Sequence, residues 1–224
     1  MTAPIRILLV DDQQLIRLGF GLVLGAEDDL AVVGEASNGA EAIDLAASLR
    51  PDVILMDVRM PGLDGIEATR RIVAAHPDSR IIILTTFDLD EYAFGALRAG
   101  ASGFLLKDAL PSELTSAIRA VHAGDAAIST RVTKRMLELF ATALPASEED
   151  ATGGPVAELA ELTPREHDIL VAMAEGMSNA EIAAHFVLSE STVKTHVGRV
   201  LMKLQLRDRV QAVIFAYKHG LVQP

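Results

Sequence analysis

The 224-residue chain contains no cysteine and no tryptophan, and only 4% of it is aromatic. Without cysteine there can be no disulfide framework, no thiolate zinc site and no thiol nucleophile. Long apolar runs are missing as well, so no membrane span is expected. Met1-Thr2-Ala3-Pro4 leads at once into Ile5-Arg6-Ile7-Leu8-Leu9-Val10, too short for a secretory leader. A cytoplasmic protein with no membrane partner is expected. Positive charge is scarce: the net charge is −11, the wrong sign for a chain that binds nucleic acid along its whole length.

What is there is enough for a packed core, with 50% hydrophobic and 23% charged residues in a length that suits one or two domains. The charge is uneven. Residues 1–150 carry 13 Lys and Arg against 23 Asp and Glu, whereas residues 151–224 carry 7 against 8. Within that second part, residues 189–218 hold Lys194, Arg199, Lys203, Arg207, Arg209 and Lys218 against Glu190 and Asp208. An acidic first half and a locally basic tail point to two modules with different partners.

Five short branched apolar runs recur in the first half: Ile5–Val10, Ala31–Glu35, Val53–Met56, Ile81–Leu84 and Gly103–Leu106. Their length and β-branching predict strands buried on both faces. Segments with helical spacing lie between and after them: Leu15–Leu24, Ala40–Leu49, Ile66–Ala75, Tyr92–Ala99 and Leu114–Val121. This alternation predicts an α/β fold, a doubly wound parallel sheet with right-handed crossovers.

The strands end in polar residues: Asp11-Asp12, Asp57, Thr85 and Lys107. Ligands of open parallel sheets bind outside the carboxyl ends of the strands, so these groups should converge on one crevice. Three carboxylates in one place repel unless a cation sits among them, and an all-oxygen set suits Mg²⁺. Lys107 offers a point charge for an anion and Thr85 a hydroxyl donor. A nucleophilic carboxylate with a divalent cation, a lysine and a hydroxyl is equipment for accepting a phosphoryl group. Taken singly, Asp11-Asp12 and Asp57 read as turn or cap residues and Lys107 as a solvated charge; their joint placement is what carries the chemistry. Gly19, Gly21 and Gly25 start too far past the first strand for a dinucleotide loop.

Val10-Asp11-Asp12, Met56-Asp57-Val58-Arg59-Met60-Pro61-Gly62-Leu63-Asp64-Gly65, Leu84-Thr85-Thr86 and Gly103-Phe104-Leu105-Leu106-Lys107 resemble the receiver domain of two-component response regulators over about residues 4–125. The resemblance implies a flavodoxin-like five-stranded sheet in the order 2-1-3-4-5. It makes Asp57 the phosphoacceptor, and it gives Mg²⁺ to Asp11, Asp12, Asp57 and the backbone carbonyl of Arg59. It pairs Lys107 with the phosphoryl oxygens, closes Thr85 onto them and has Phe104 follow inward. Two positions depart from the commonest pattern. Asp108 follows Lys107 where many receivers have proline, which argues against the usual cis bond. Thr86 stands where a small alanine is frequent. Arg59 and Phe87 are expected at the mouth of the site, where they would slow the attacking water.

A linker follows at 126–157. Val132, Met136, Leu139, Phe140 and Ala143 predict a helix over 131–144, and 146–155 is an acidic, Gly- and Pro-bearing tether.

Thr163-Pro164-Arg165-Glu166 reads as a helix start with a capping box. A second helix is expected at Ala180–Phe186. A third opens at Ser189, with Val193, Val197, Val200, Leu201 and Leu204 inward and Lys194, Thr195, His196, Arg199 and Lys203 outward. A fourth spans about Arg209–Lys218. Two short helices, the second amphipathic and basic, fit a major-groove reader. Leu162–Glu166, Gly176–Ala183 and Leu188–Val197 resemble the LuxR-type DNA-binding domain, a small all-α four-helix helix-turn-helix unit at 158–224. Together with the receiver at 1–125, the chain resembles the NarL/FixJ response regulators. The resemblance implies base contacts from Lys194 and Thr195, and phosphate contacts from Ser178, Asn179, Thr192, His196 and Arg199. Gly198 stands where some relatives carry a basic base reader. The fourth helix is the usual dimer surface, through Val210, Val213 and Ile214; filling the core is the other reading of those three.

The function this implies is a two-component response regulator. A sensor histidine kinase phosphorylates Asp57, and the chain then homodimerises and binds promoter DNA, with RNA polymerase as a further candidate partner. No enzyme activity is expected beyond self-catalysed phosphoryl acceptance and autodephosphorylation. A phosphotransfer enzyme acting on an external substrate and a scaffold that is never phosphorylated are the alternatives. The acidic first half is expected to cover the basic helix until phosphorylation releases it.

Overall fold

The computed structural model describes residues 3–85, 95–124 and 159–222. The expected linker helix 131–144, the tether 146–155, Thr86, Phe87 and the first residues of the helix expected over 92–99 lie outside them. The chain forms two compact units, divided between Ile128 and Ser129.

In the first unit the element order is β1 (Ile5–Val10), α1 (Gln14–Leu24), β2 (Leu30–Ala36), α2 (Gly39–Leu49), β3 (Val53–Asp57), α3 (Gly65–Ala75), β4 (Arg80–Thr85), β5 (Gly103–Leu106) and α4 (Pro111–His122). Residues 95–98, just before β5, are also helical. All strand pairs are parallel, and the sheet order is β2-β1-β3-β4-β5. The sheet reverses direction of growth at β1, between β2 and β3, which is where a doubly wound sheet opens its crevice.

The strands are apolar because both faces are covered. In β3 every residue from Val53 to Asp57 is buried, and in β4 only Arg80 is not. Ile5, Ile7, Leu9, Val53, Leu55, Ile82 and Leu84 form one core with Leu24 of α1 and with Leu114, Ile118 and Val121 of α4. Edge strand β2 is half-buried through its middle, and its register with β1 slips by one residue between Ile7 and Leu8.

The helix starts follow local chemistry. Asn38 accepts from the Ala40 and Glu41 amides to cap α2, and Asp64 accepts from Glu67 to cap α3. α4 begins at Pro111, earlier than the apolar spacing alone suggests, because Glu113 accepts from the Leu110 amide and proline suits the first turn.

The second unit contains a 3₁₀ turn (Leu159–Glu161), α5 (Pro164–Ala174), α6 (Asn179–Phe186), α7 (Glu190–Lys203) and α8 (Arg209–Lys218). Its core joins Ile169, Leu170 and Met173 of α5 to Ile182 of α6, Val193, Val197 and Val200 of α7, and Ala212 and Ala216 of α8. Capping boxes open α5 and α6. Thr163 N–H donates to Glu166 at 2.9 Å and Ser178 N–H to Glu181 at 2.7 Å. Ser189 caps α7 and Asp208 caps α8.

Candidate functional site: an acidic strand-end crevice and a basic helix

Asp11 and Asp12 follow β1 directly, Asp57 closes β3, Thr85 closes β4 and Lys107 follows β5. The parallel sheet therefore delivers them all to one edge. One carboxylate oxygen each from Asp11, Asp12 and Asp57 lie within 4.8 Å of one another. Asp11 and Asp57 are buried, whereas Asp12 is exposed.

Lys107 stands between the two buried acids. Its Nζ is 2.7 Å from Asp11 Oδ2 and 2.9 Å from Asp57 Oδ2, and its side chain is 7% exposed. Its own amide donates to the Thr85 carbonyl at 2.7 Å, which ties the lysine to the end of β4. The peptide bonds around Lys107 and Asp108 are trans, like every described peptide bond, in line with the absence of proline there.

The electrostatics follow from burial. Burial pushes the Asp57 carboxyl above the ordinary carboxylate range; Lys107 opposes this and Asp11 adds to it. Burial also works against the charge on Lys107, but its bonds to Asp11 and Asp57 outweigh that and lift its pKa above the usual lysine value. Two buried carboxylates and a third beside them are thus served by one ammonium. Apart from the ion pair with Lys107, the buried Asp11 Oδ2 has no hydrogen-bond partner among the described residues. An all-oxygen donor set with a spare buried lone pair fits a hard divalent cation.

The surrounding backbone is held tightly. Asp11 Oδ1 accepts from the Gln13 amide at 2.9 Å, and Arg59 N–H reaches Asp57 Oδ1 at 3.4 Å. Arg17, on α1, donates to the Asp11 carbonyl at 2.7 Å and to Glu35 Oε2 at 3.0 Å. Nothing in the residue spacing signals this role, because the pairing reaches from α1 back to the end of β1 and across to β2. Gly65 is the second residue whose role had to be seen. A Cβ there would lie 1.9 Å from the Asp57 carbonyl oxygen, so the start of α3 packs directly on the backbone of the candidate acceptor. Thr85 and Phe104 are both buried, Phe104 to 2% exposure, on adjacent strands.

On the second unit, Lys194, Thr195 and Arg199 are exposed on α7, Ser178 is exposed at the start of α6, and Thr192 and His196 are half-buried. The Asn179 side chain is instead buried and accepts from Arg209 Nη1 at 3.1 Å; the same guanidinium bonds the Met177 carbonyl. Lys203, counted on the outward basic face, is turned inward. Its Nζ donates to Glu166 Oε2 at 2.7 Å and to the Glu161 carbonyl at 2.9 Å. Lys203 and the Thr163 amide together hold the Glu166 carboxyl down at about 2. Val210 and Val213 are buried within the chain, and Ile214 is half-buried.

α1 carries an unusual outer face. Leu15, Leu18 and Leu22 are 81%, 58% and 70% exposed at helical spacing, starting three residues after Asp12.

Residues 7–119 match the family described as the response regulator receiver domain, and residues 160–216 match the bacterial regulatory proteins of the luxR family. The chain is 48% identical over 221 residues to the uncharacterized transcriptional regulatory protein YxjL of Bacillus subtilis, covering 98% of each. It is 41% identical to the transcriptional regulatory protein LiaR of the same organism, covering 97% of this chain and 99% of LiaR. Among solved structures it is similar to the response regulator ChrA of a heme-sensing two-component system, at 32% identity and a TM-score of 0.52, covering 99% of this chain and all of ChrA.

Proposed function

The chain belongs to the response regulators that join a receiver domain to a LuxR-family regulatory domain, and from that premise we propose that Asp57 is its phosphoacceptor and that phosphorylation there controls how α7 meets promoter DNA. It is a transcription regulator of a two-component system, and its relatives are transcriptional regulators rather than enzymes. Residues 1–125 act as the receiver, 126–157 as the linker and 158–224 as the DNA-binding domain.

The observation that supports this best is the Lys107 ammonium shared by the buried Asp11 and Asp57 beside Asp12. Asp57 presents the nucleophilic oxygen, and Lys107 is placed to exchange its contact with that carboxylate for one with the incoming phosphoryl oxygens. Asp11, Asp12, Asp57 and the Arg59 carbonyl are the groups that would hold Mg²⁺, whose charge offsets the −1.5 to −2 or so that a phosphoryl group adds. Thr85 supplies a hydroxyl from β4, and the displacement of Phe104 carries the change to the surface of β5 and its flanking helices. Phosphoryl acceptance and its later hydrolysis are the only chemistry this reading assigns.

The donor is a sensor histidine kinase, and the bare leucines of α1 beside the site give a protein donor an apolar surface to cover. Promoter DNA is met by Lys194 and Thr195 at base edges, with Ser178, Thr192, His196 and Arg199 toward the phosphates. Asn179 serves through Arg209, by fixing the start of α6, rather than by direct contact. RNA polymerase is a further partner of a promoter-bound regulator. Homodimerisation accompanies phosphorylation, and of Val210, Val213 and Ile214 only Ile214 is open enough to contribute to it.

Incubating the full chain with Mg²⁺ and acetyl phosphate should add the mass of one phosphoryl group to the wild type and none to Asp57→Asn. The wild type alone should then shift promoter DNA more strongly. Equal labelling of both proteins would move the acceptor elsewhere.

A further inference from the structure

We propose that Gly198 and Met202 form a second, uncharged reading segment of α7, with the Met202 side chain resting on the 5-methyl group of a thymine in the major groove. The inference rests on the DNA-binding role of α7 proposed above and adds two residues to it.

α7 buries Val193, Val197 and Val200. At about 100° per residue, the direction opposite that stripe is occupied by Ser191, Thr195 and Met202, with Gly198 to one side. All four are exposed, Met202 to 70%. Met202 lies roughly 20° round the helix from Thr195 and about 10 Å further along its axis. A large apolar side chain is therefore held in water on the centre line of the face that carries the base-reading candidates. Such a side chain gains free energy only against another apolar group. On the edges of base pairs in the major groove the apolar group is the thymine methyl, and an unbranched, polarizable thioether adapts readily to it.

Gly198 fits the same picture. Its backbone is not in the left-handed region, and a Cβ added there would meet nothing within 4 Å among the described residues. Nothing in the packing of the described residues demands glycine, yet glycine weakens a helix interior. A bare backbone at this position lets α7 approach whatever it faces, and it lowers Met202 toward the groove floor. The neighbouring cation does not compete for that end of the face, because Lys203 is drawn away to Glu166 and the Glu161 carbonyl.

The test uses the full chain treated with Mg²⁺ and acetyl phosphate to enrich duplexes from a random-sequence pool. Each thymine of the enriched duplex is then replaced by deoxyuridine, which lacks only the methyl group. At one thymine the replacement should weaken wild-type binding about fourfold, the factor that corresponds to burying one methyl group. Met202→Ala should lose a similar factor on the thymine duplex and bind the two duplexes alike. Gly198→Ala should raise Tm and still weaken binding. A wild type indifferent to every thymine methyl, a Met202→Ala variant that keeps the full discrimination, or a Gly198→Ala variant that binds as well as the wild type would overturn the inference while leaving DNA binding intact. A wild type that enriches no sequence would overturn both.

Discussion

At the scale of single residues, the crevice is defined as much by what cannot be added as by what is charged. Gly65 opens α3 with its Cα against the Asp57 backbone, and any side chain there would drive into the Asp57 carbonyl. Gly65→Ala should therefore cost about 1–3 kcal/mol in urea unfolding, and it should slow acetyl phosphate labelling because Asp57 itself is pushed. The strand-end polar residues were legible in the sequence, since Asp11, Asp12, Asp57, Thr85 and Lys107 each interrupt or follow an apolar run whose direction the parallel topology fixes. Gly65 and Arg17 were not. Their partners, the Asp57 carbonyl and the Asp11 carbonyl, are backbone atoms, and no pattern of side chains announces which backbone atom a residue will touch.

At the scale of elements, the helical unit shows where a basic face read from spacing overstates what is presented. Lys203 and Arg209 belong to the run of cations at 189–218, yet Lys203 bonds Glu166 of α5 and Arg209 bonds Asn179 and the Met177 carbonyl at the start of α6. Both contacts span more than 25 residues, so helical periodicity could place the helices but could not reveal that these cations brace them. Val210 and Val213 belong here too: the resemblance offers them as dimer surface with core filling as the other reading, and both are buried within the chain. The Glu166–Lys203 pair has a pH signature. The Glu166 carboxyl is depressed from the ordinary 4.5 to about 2, so its contribution is fully present above about pH 5 and fades as pH falls toward 2. Glu166→Gln, which keeps the hydrogen-bonding shape of the capping box, should lower the urea midpoint of the unit at pH 6, followed through the α5 amide resonances. The gap to the wild type should close as the pH approaches 2.

At the scale of the whole molecule, two compact units carry unequal charge: residues 1–128 hold a net −9 and residues 129–224 a net −2. The expectation that the acidic half covers the basic helix until phosphorylation has a direct test. On this view a fragment of residues 156–224 should bind a promoter duplex several-fold more tightly than the unphosphorylated full chain. The difference should shrink as added salt screens the attraction. Equal affinities in gel-shift titrations at low salt would exclude such masking. The domain order and the fold of each unit could be read in advance because strand alternation and helix caps are local signals; affinity for one another is not, since it depends on surfaces that only folding assembles.

The inward turn of Lys203 has one more outcome, in the thermodynamics of ions. Each phosphate neutralised by a lysine or arginine sets free part of a condensed counterion, and log K then falls with log salt by about 0.9 per contact. With Lys203 spent on Glu166 and Lys194 proposed for base edges, Arg199 is the cation of α7 left for a phosphate, so each copy should give a shallow slope of about −0.9 from this helix. Complexes of this protein should then outlast, at raised ionic strength, those of regulators that grip DNA chiefly through charge.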